Sequence, residues 1–309
     1  MGVTDFLQRL RLRIWVALFR IVTMRVQGPL LHPPDDVKRK NLQIPSRDAG
    51  RSIDAWLYYP DDYSPDSPAS SLPVLINWHG SGYVNYALSL DHEYCHYLAQ
   101  TNGMLVLDVD YRKAPENPYP APIQDVEDVL AWVSEQQATM DVSRIALSGF
   151  SSGGVLAQAA ASSLRANYPK LDIKAVVTIY SGSDLATESK AKTVPRPVKP
   201  IPAWVLDIFF DSYLPPHVSR KDPRVSPLYA DPNLFPERVI MVTCSGDILK
   251  PEMDVLADKL EGAGRQVQAV CLEDMPHGFD KGCKPNTPEW ENKEYTYKLV
   301  ADSLKEALT

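Results

Sequence analysis

The chain has 309 residues, a formal net charge of −7 at pH 7, 44% hydrophobic and 23% charged residues. That length and balance suit one large globular α/β domain. An acidic chain has nothing to offset phosphate repulsion, which excludes nucleic acid as a main partner.

Along the first 26 residues, Phe6, Leu7, Leu10, Ile14, Leu18 and Ile21 recur at helical spacing, with Arg9, Arg11, Arg13, Arg20 and Arg25 among them. The longest uncharged apolar run, Ile14 to Phe19, is too short for a spanning helix. A basic amphipathic helix suits either a lid docked on its own domain or a peripheral membrane contact. The lid is favoured, because a docked helix needs only one apolar face.

Short apolar runs then alternate with helical patterns, which predicts a mainly parallel sheet with helices on both faces. Strands are expected at Ile53–Tyr59, Val74–Trp78, Met104–Val109 and Arg144–Leu147, with helices at Ser89–Asn102 and Ile123–Gln137. The loop from Asp61 to Ser71 is rich in Asp, Ser and Pro. A strand at Ile173–Ile179 precedes a Pro-rich irregular stretch over 183–227, with one helical patch, Trp204–Phe210. Strands at Arg238–Cys244 and Val267–Leu272 and helices at Glu252–Glu261 and Lys293–Leu308 complete the pattern. The reading is a single domain, residues 1–309, capped by about 1–36 and 183–227. Four cysteines make no disulfide framework, and Cys244 and Cys271 are expected to be buried core thiols. No Asn-x-Ser/Thr sequon occurs, which fits a cytoplasmic protein.

The stretch Ser148-Gly149-Phe150-Ser151-Ser152-Gly153-Gly154 follows a strand and opens a helix. Gly-x-Ser-x-Gly in that context predicts a tight elbow presenting Ser151 as a nucleophile. Gly149 and Gly153 leave room for strand and helix to approach. A nucleophilic Ser needs a base, and the base needs a carboxylate. His277 and Asp247 each follow a predicted strand, so both emerge at the sheet edge that carries Ser151. The chain order Ser151, Asp247, His277 is that of α/β-hydrolases. Acyl transfer also needs donors for the developing oxyanion. Candidates are the N–H groups of Ser81 and Gly82, in the small-residue loop after the strand Val74–Trp78, and of Ser152.

Together these residues resemble the hormone-sensitive-lipase-like group of α/β-hydrolases, which includes many carboxylesterases, and look most like its fungal members. The family's His-Gly-Gly-Gly loop is matched by His79-Gly80-Ser81-Gly82, and its Gly-Asp-Ser-Ala-Gly-Gly elbow by Gly149 to Gly154. Asp110-Tyr111-Arg112 through Glu116, Pro120-Ala121-Pro122 and Ser226-Pro227-Leu228 match further family patterns. The resemblance implies an α/β-hydrolase fold, a small-molecule ester substrate, and no cofactor or metal. Ser81 stands where the family has Gly, in a backbone position that is costly if it needs glycine's freedom. Phe150 stands where it has Asp. Both departures also suit a biosynthetic enzyme using the same residues for elimination, cyclisation or acyl transfer. The related gibberellin receptors lack the catalytic His, whereas His277 is present. His79, Tyr83, Phe150, Trp204 and Phe209 are expected to line the substrate pocket.

His92-Glu93-Tyr94-Cys95-His96 fits the zinc-protease pattern His-Glu-x-x-His. No third ligand follows, so the stretch is read as a partly exposed helix rather than a metal site.

Overall fold

The computed structural model describes residues 3–64, 66 and 71–309, and side chains from Leu7 onward within them. The side chain of Phe6 and residues 65 and 67–70 of the loop from Asp61 to Ser71 therefore lie outside the described residues. Eight strands form one sheet: β1 (Arg39–Pro45), β2 (Ser52–Tyr58), β3 (Leu72–Trp78), β4 (Leu105–Val109), β5 (Met140–Phe150), β6 (Ile173–Ile179), β7 (Arg238–Cys244) and β8 (Gln266–Leu272). Their spatial order is β1-β2-β4-β3-β5-β6-β7-β8. β1 and β2 pair antiparallel, as do β2 and β4, and every later neighbour is parallel. The expected mainly parallel sheet is therefore present.

Strand periodicity divides the core in two. On β3, Val74, Ile76 and Trp78 face one apolar cluster, and Leu75 faces the other. The second cluster is covered by α2 (His92–Asn102) and α7 (Pro288–Ala307), through Tyr94, Leu98, Tyr297 and Val300. The first is covered by α3 (Ala121–Ser134), α4 (Ser152–Ala159) and α6 (Lys250–Gly262).

Three differences from the sequence reading have physical causes. β1 was not anticipated: only Ile44 on it is buried, so it carries no apolar run. Cys271 is exposed, unlike buried Cys244, because β8 is the sheet edge and most of it faces away from the core. The third concerns α1 (Val3–Gln27). It packs against α5 (Ala203–Tyr213) through Leu12, Val16 and Phe19. Leu7, Leu10, Ile14, Leu18 and Ile21, the expected docking stripe, are all exposed. The stretch Leu7–Leu31 is, by length and composition, long and apolar enough to cross a membrane. Counting only uncharged residues underestimates it, because its arginines are singly spaced.

Candidate active site

The β5–α4 turn positions the central side chain. Ser151 adopts φ 49° and ψ −121°, a strained conformation for a residue with a Cβ. The turn is tight enough to forbid side chains on both sides. A Cβ on Gly149 would lie 2.3 Å from the Gly153 carbonyl, and one on Gly153 would lie 1.9 Å from the Trp78 oxygen. Ser151 N–H donates to the Ile179 carbonyl at 3.1 Å, which ties the elbow to β6.

The loops after β7 and β8 bring two groups to this serine. His277 Nε2 lies 2.9 Å from Ser151 Oγ. His277 Nδ1 lies 2.7 Å from Asp247 Oδ2. Asp247 is buried, and its other oxygen accepts the Leu249 N–H at 3.1 Å. The three side chains thus form one hydrogen-bonded chain. The imidazole is held with Nδ1–H toward the carboxylate and Nε2 free to accept from the serine. Tyr180 packs beside the imidazole, ring centroids 4.9 Å apart.

The loop after β3 lies against the elbow. Gly82 has φ +58°, and a Cβ there would meet the Phe209 ring at 2.5 Å. The left-handed positions of this loop are Gly82, Tyr83 and Ser89. Ser81 is not one of them, so its substitution for glycine carries no such strain. Its N–H donates to Ser152 Oγ at 3.0 Å, and its hydroxyl pairs with Tyr111 OH at 2.7 Å. No acceptor takes the N–H of Gly82 or Ser152 among the described residues.

Tyr111 ties the loop down from behind, donating to the His79 carbonyl at 3.0 Å. His79 is fully buried and stacked on Tyr111. Its Nε2 lies 3.0 Å from Asp110 Oδ1. Burial, then the charge of Lys113, lowers the His79 pKa, so the ring is neutral. Burial alone would raise Asp110, but Lys113 and His79 outweigh it and hold that carboxyl well below the usual range.

An apolar cavity of about 210 Å³ opens on Ser151 and His277. Of the candidate pocket residues, Tyr83, Phe150 and Phe209 line it, and His79 and Trp204 do not. His79 braces the loop from its buried side. Trp204 faces outward, where it packs on Trp15 and Phe19 at ring-centroid distances of 5.7 and 5.8 Å. Phe150 carries the Lys281 ammonium over its ring at 3.9 Å. That cation also pairs with Asp91 and Asp280 at 2.7 and 2.8 Å.

Sequence reasoning missed Glu252, which lines the cavity. Its Oε1 accepts the N–H groups of Ser183 and Asp184 at 2.7 and 3.1 Å, and its Oε2 pairs with Lys192. It therefore anchors the start of the 183–227 segment. A carboxylate five residues beyond Asp247, in the first turn of α6, was the available signal. In the His-Glu-x-x-His stretch, Glu93 instead pairs with Lys293 at 2.8 Å. Among the described residues no group of three or more His, Cys, Asp or Glu is placed to hold a metal.

With this geometry established, comparison with known proteins gives a consistent picture. An ethyl acetate hydrolase of Pseudomonas putida is 31% identical over 243 residues, covering 77% of this chain and 74% of its own. A 3-O-acetylpapaveroxine carboxylesterase of Papaver somniferum is 30% identical, covering 67% of this chain and 73% of its own. The solved structure of EstE1, a thermostable carboxylesterase from a metagenomic library, superposes with a TM-score of 0.79 at 27% identity. That match covers 95% of this chain and 98% of EstE1. The model of the Abhydrolase_3 family, described as alpha/beta hydrolase fold, matches residues 75–281. From β3 through the loop after β8, residues 75–281, this chain belongs to that alpha/beta hydrolase family.

Proposed function

We propose that the protein is a serine carboxylesterase acting on small to medium apolar esters through an acyl-enzyme. The observation that carries this reading is the Ser151–His277–Asp247 chain, at 2.9 and 2.7 Å, opening into an apolar cavity. Ser151 Oγ attacks the ester carbonyl while His277 Nε2 takes its proton. Asp247 holds the tautomer and stabilises the imidazolium. His277 then protonates the departing alcohol, and water, deprotonated by the same nitrogen, releases the acid. The N–H groups of Gly82 and Ser152 face the developing oxyanion, joined by Ser81 N–H when it leaves Ser152 Oγ. A cavity of about 210 Å³ is smaller than a typical drug-sized pocket, which favours short and medium acyl chains. Residues 1–36 and 183–227 act as the cap, because Phe19 of α1 packs on the cavity-lining Phe209 at 5.8 Å. The relatives named for ethyl acetate and for 3-O-acetylpapaveroxine support an ester substrate.

The test is labelling with a fluorophosphonate, followed by peptide mass spectrometry. One adduct on Ser151, lost in His277→Ala, is expected. A folded protein that takes no label, or takes it elsewhere, would refute the mechanism. A second reading keeps these residues but assigns them to a specialised metabolite, and rests on the engaged Ser81 amide and on Phe150. It predicts labelling of Ser151 with negligible turnover of simple esters.

A further inference from the structure

One face of α1 has no partner among the described residues. Leu12, Val16 and Phe19 hold the helix to the domain. Arg20 pins its C-terminal third, donating to the Val84 carbonyl at 2.8 Å, to the Ala114 carbonyl at 3.0 Å and to both oxygens of Glu116. Leu7, Leu10, Ile14, Leu18 and Ile21 recur at steps of three and four on the opposite side, and all are exposed. Such spacing gathers side chains along one helix face. Trp15, Val22 and Val26 widen the exposed apolar surface. A monomer in water rarely leaves a contiguous apolar ridge of this kind uncovered.

Charge selects the occupant. α1 carries five arginines against one aspartate, on a chain whose net charge is −7. Arg9, Arg11, Arg13 and Arg25 are exposed on the same helix. Laid on a second copy of itself, the ridge would bring like charges together. Laid on a bilayer, the apolar side chains enter the acyl boundary while the arginines reach anionic headgroups. The helix is long enough to span, but Arg20 argues against spanning. Crossing the bilayer would carry a guanidinium into hydrocarbon and break its bonds to Val84, Ala114 and Glu116.

We infer that α1 lies flat on an anionic lipid surface, seated by the ridge Leu7, Leu10, Ile14, Leu18 and Ile21, and docks the domain as a peripheral protein. The cavity is close to that surface, since Gln27 at the end of α1 lines it. Substrate partitioned into lipid would therefore be near the site.

The test is co-sedimentation of the full chain with vesicles of phosphatidylcholine alone and with added phosphatidylglycerol. Binding to the anionic vesicles, weakened by salt and released by alkaline carbonate, is expected. The variant Ile14→Glu/Leu18→Glu should bind about tenfold or more weakly. Its melting curve should match wild type and Ser151 should still take the fluorophosphonate label, which separates loss of docking from loss of the fold or of the nucleophile. Absence of vesicle binding, equal binding by the variant, or retention through carbonate would each overturn the inference. So would a wild-type dimer that the variant dissolves without any vesicle binding.

Discussion

Ser81 donates its backbone N–H to the side-chain hydroxyl of Ser152 at 3.0 Å. An amide proposed to stabilise the oxyanion is therefore engaged at rest by a neighbour's side chain. The Ser152 hydroxyl also lies 3.3 Å from Tyr111 OH. Substrate must break or share this bond before the amide can serve the transition state.

Ser152→Ala removes that competitor but keeps the Ser152-position N–H. Because a neutral hydrogen bond contributes about 0.5–1.5 kcal/mol, kcat on a p-nitrophenyl ester should rise about 2- to 10-fold with KM little changed. Steady-state kinetics read both. A fall in kcat with an unchanged melting curve would show that the hydroxyl helps to position the loop.

Asp247→Asn should leave the fold intact, since a carbamoyl oxygen can still accept the Leu249 N–H. Its NH2 would then face His277 Nδ1 and impose the wrong tautomer. The expected loss in kcat is about 10⁴-fold. A loss under tenfold would remove Asp247 from the mechanism.

Phe209 stands between the oxyanion loop and α1, against Gly82 and Phe19. Phe209→Ala should lengthen the preferred acyl chain by about two to four carbons, as added pocket volume admits more methylenes. A p-nitrophenyl series from acetate to decanoate measures this. An unchanged optimum would place the acyl chain elsewhere.

The buried His79–Asp110–Lys113 cluster predicts acid sensitivity. His79 is held neutral in the folded protein but titrates at about 6.5 when unfolded. The unfolded chain therefore binds more protons below that value, and stability falls as pH drops. Asp110, depressed when folded, acts in the same direction: its contribution is present above about 3.9 and is lost as pH falls through its folded value. Melting temperature should decline from about pH 7.5 to 5.5, and His79→Asn should decline less over that interval. Parallel declines would mean that the ring does not carry the effect.

The sequence made the Ser151 elbow legible because glycine spacing, strand and helix all agree there. It also implied that Asp247 and His277 would meet the serine, because parallel strands send the loops after them to one edge. Helical periodicity misled on α1. The more regular apolar stripe faces outward, and docking relies partly on Arg20 and on Thr23, whose hydroxyl reaches Asn85 at 3.2 Å. Periodicity does not register such polar contacts. The outward placement of Trp204 and the bracing position of His79 depend on long-range packing that local pattern does not encode. The engaged Ser81 amide depends on Ser152, 71 residues away, and no local rule pairs them.

The most direct test of the central claim is hydrolysis of p-nitrophenyl butyrate by wild type and Ser151→Ala, with matched melting curves. The account predicts wild-type turnover and a fall of about 10³-fold or more in kcat for the variant, to the residual level left by binding and the oxyanion donors. A folded Ser151→Ala protein that retains wild-type turnover would contradict it.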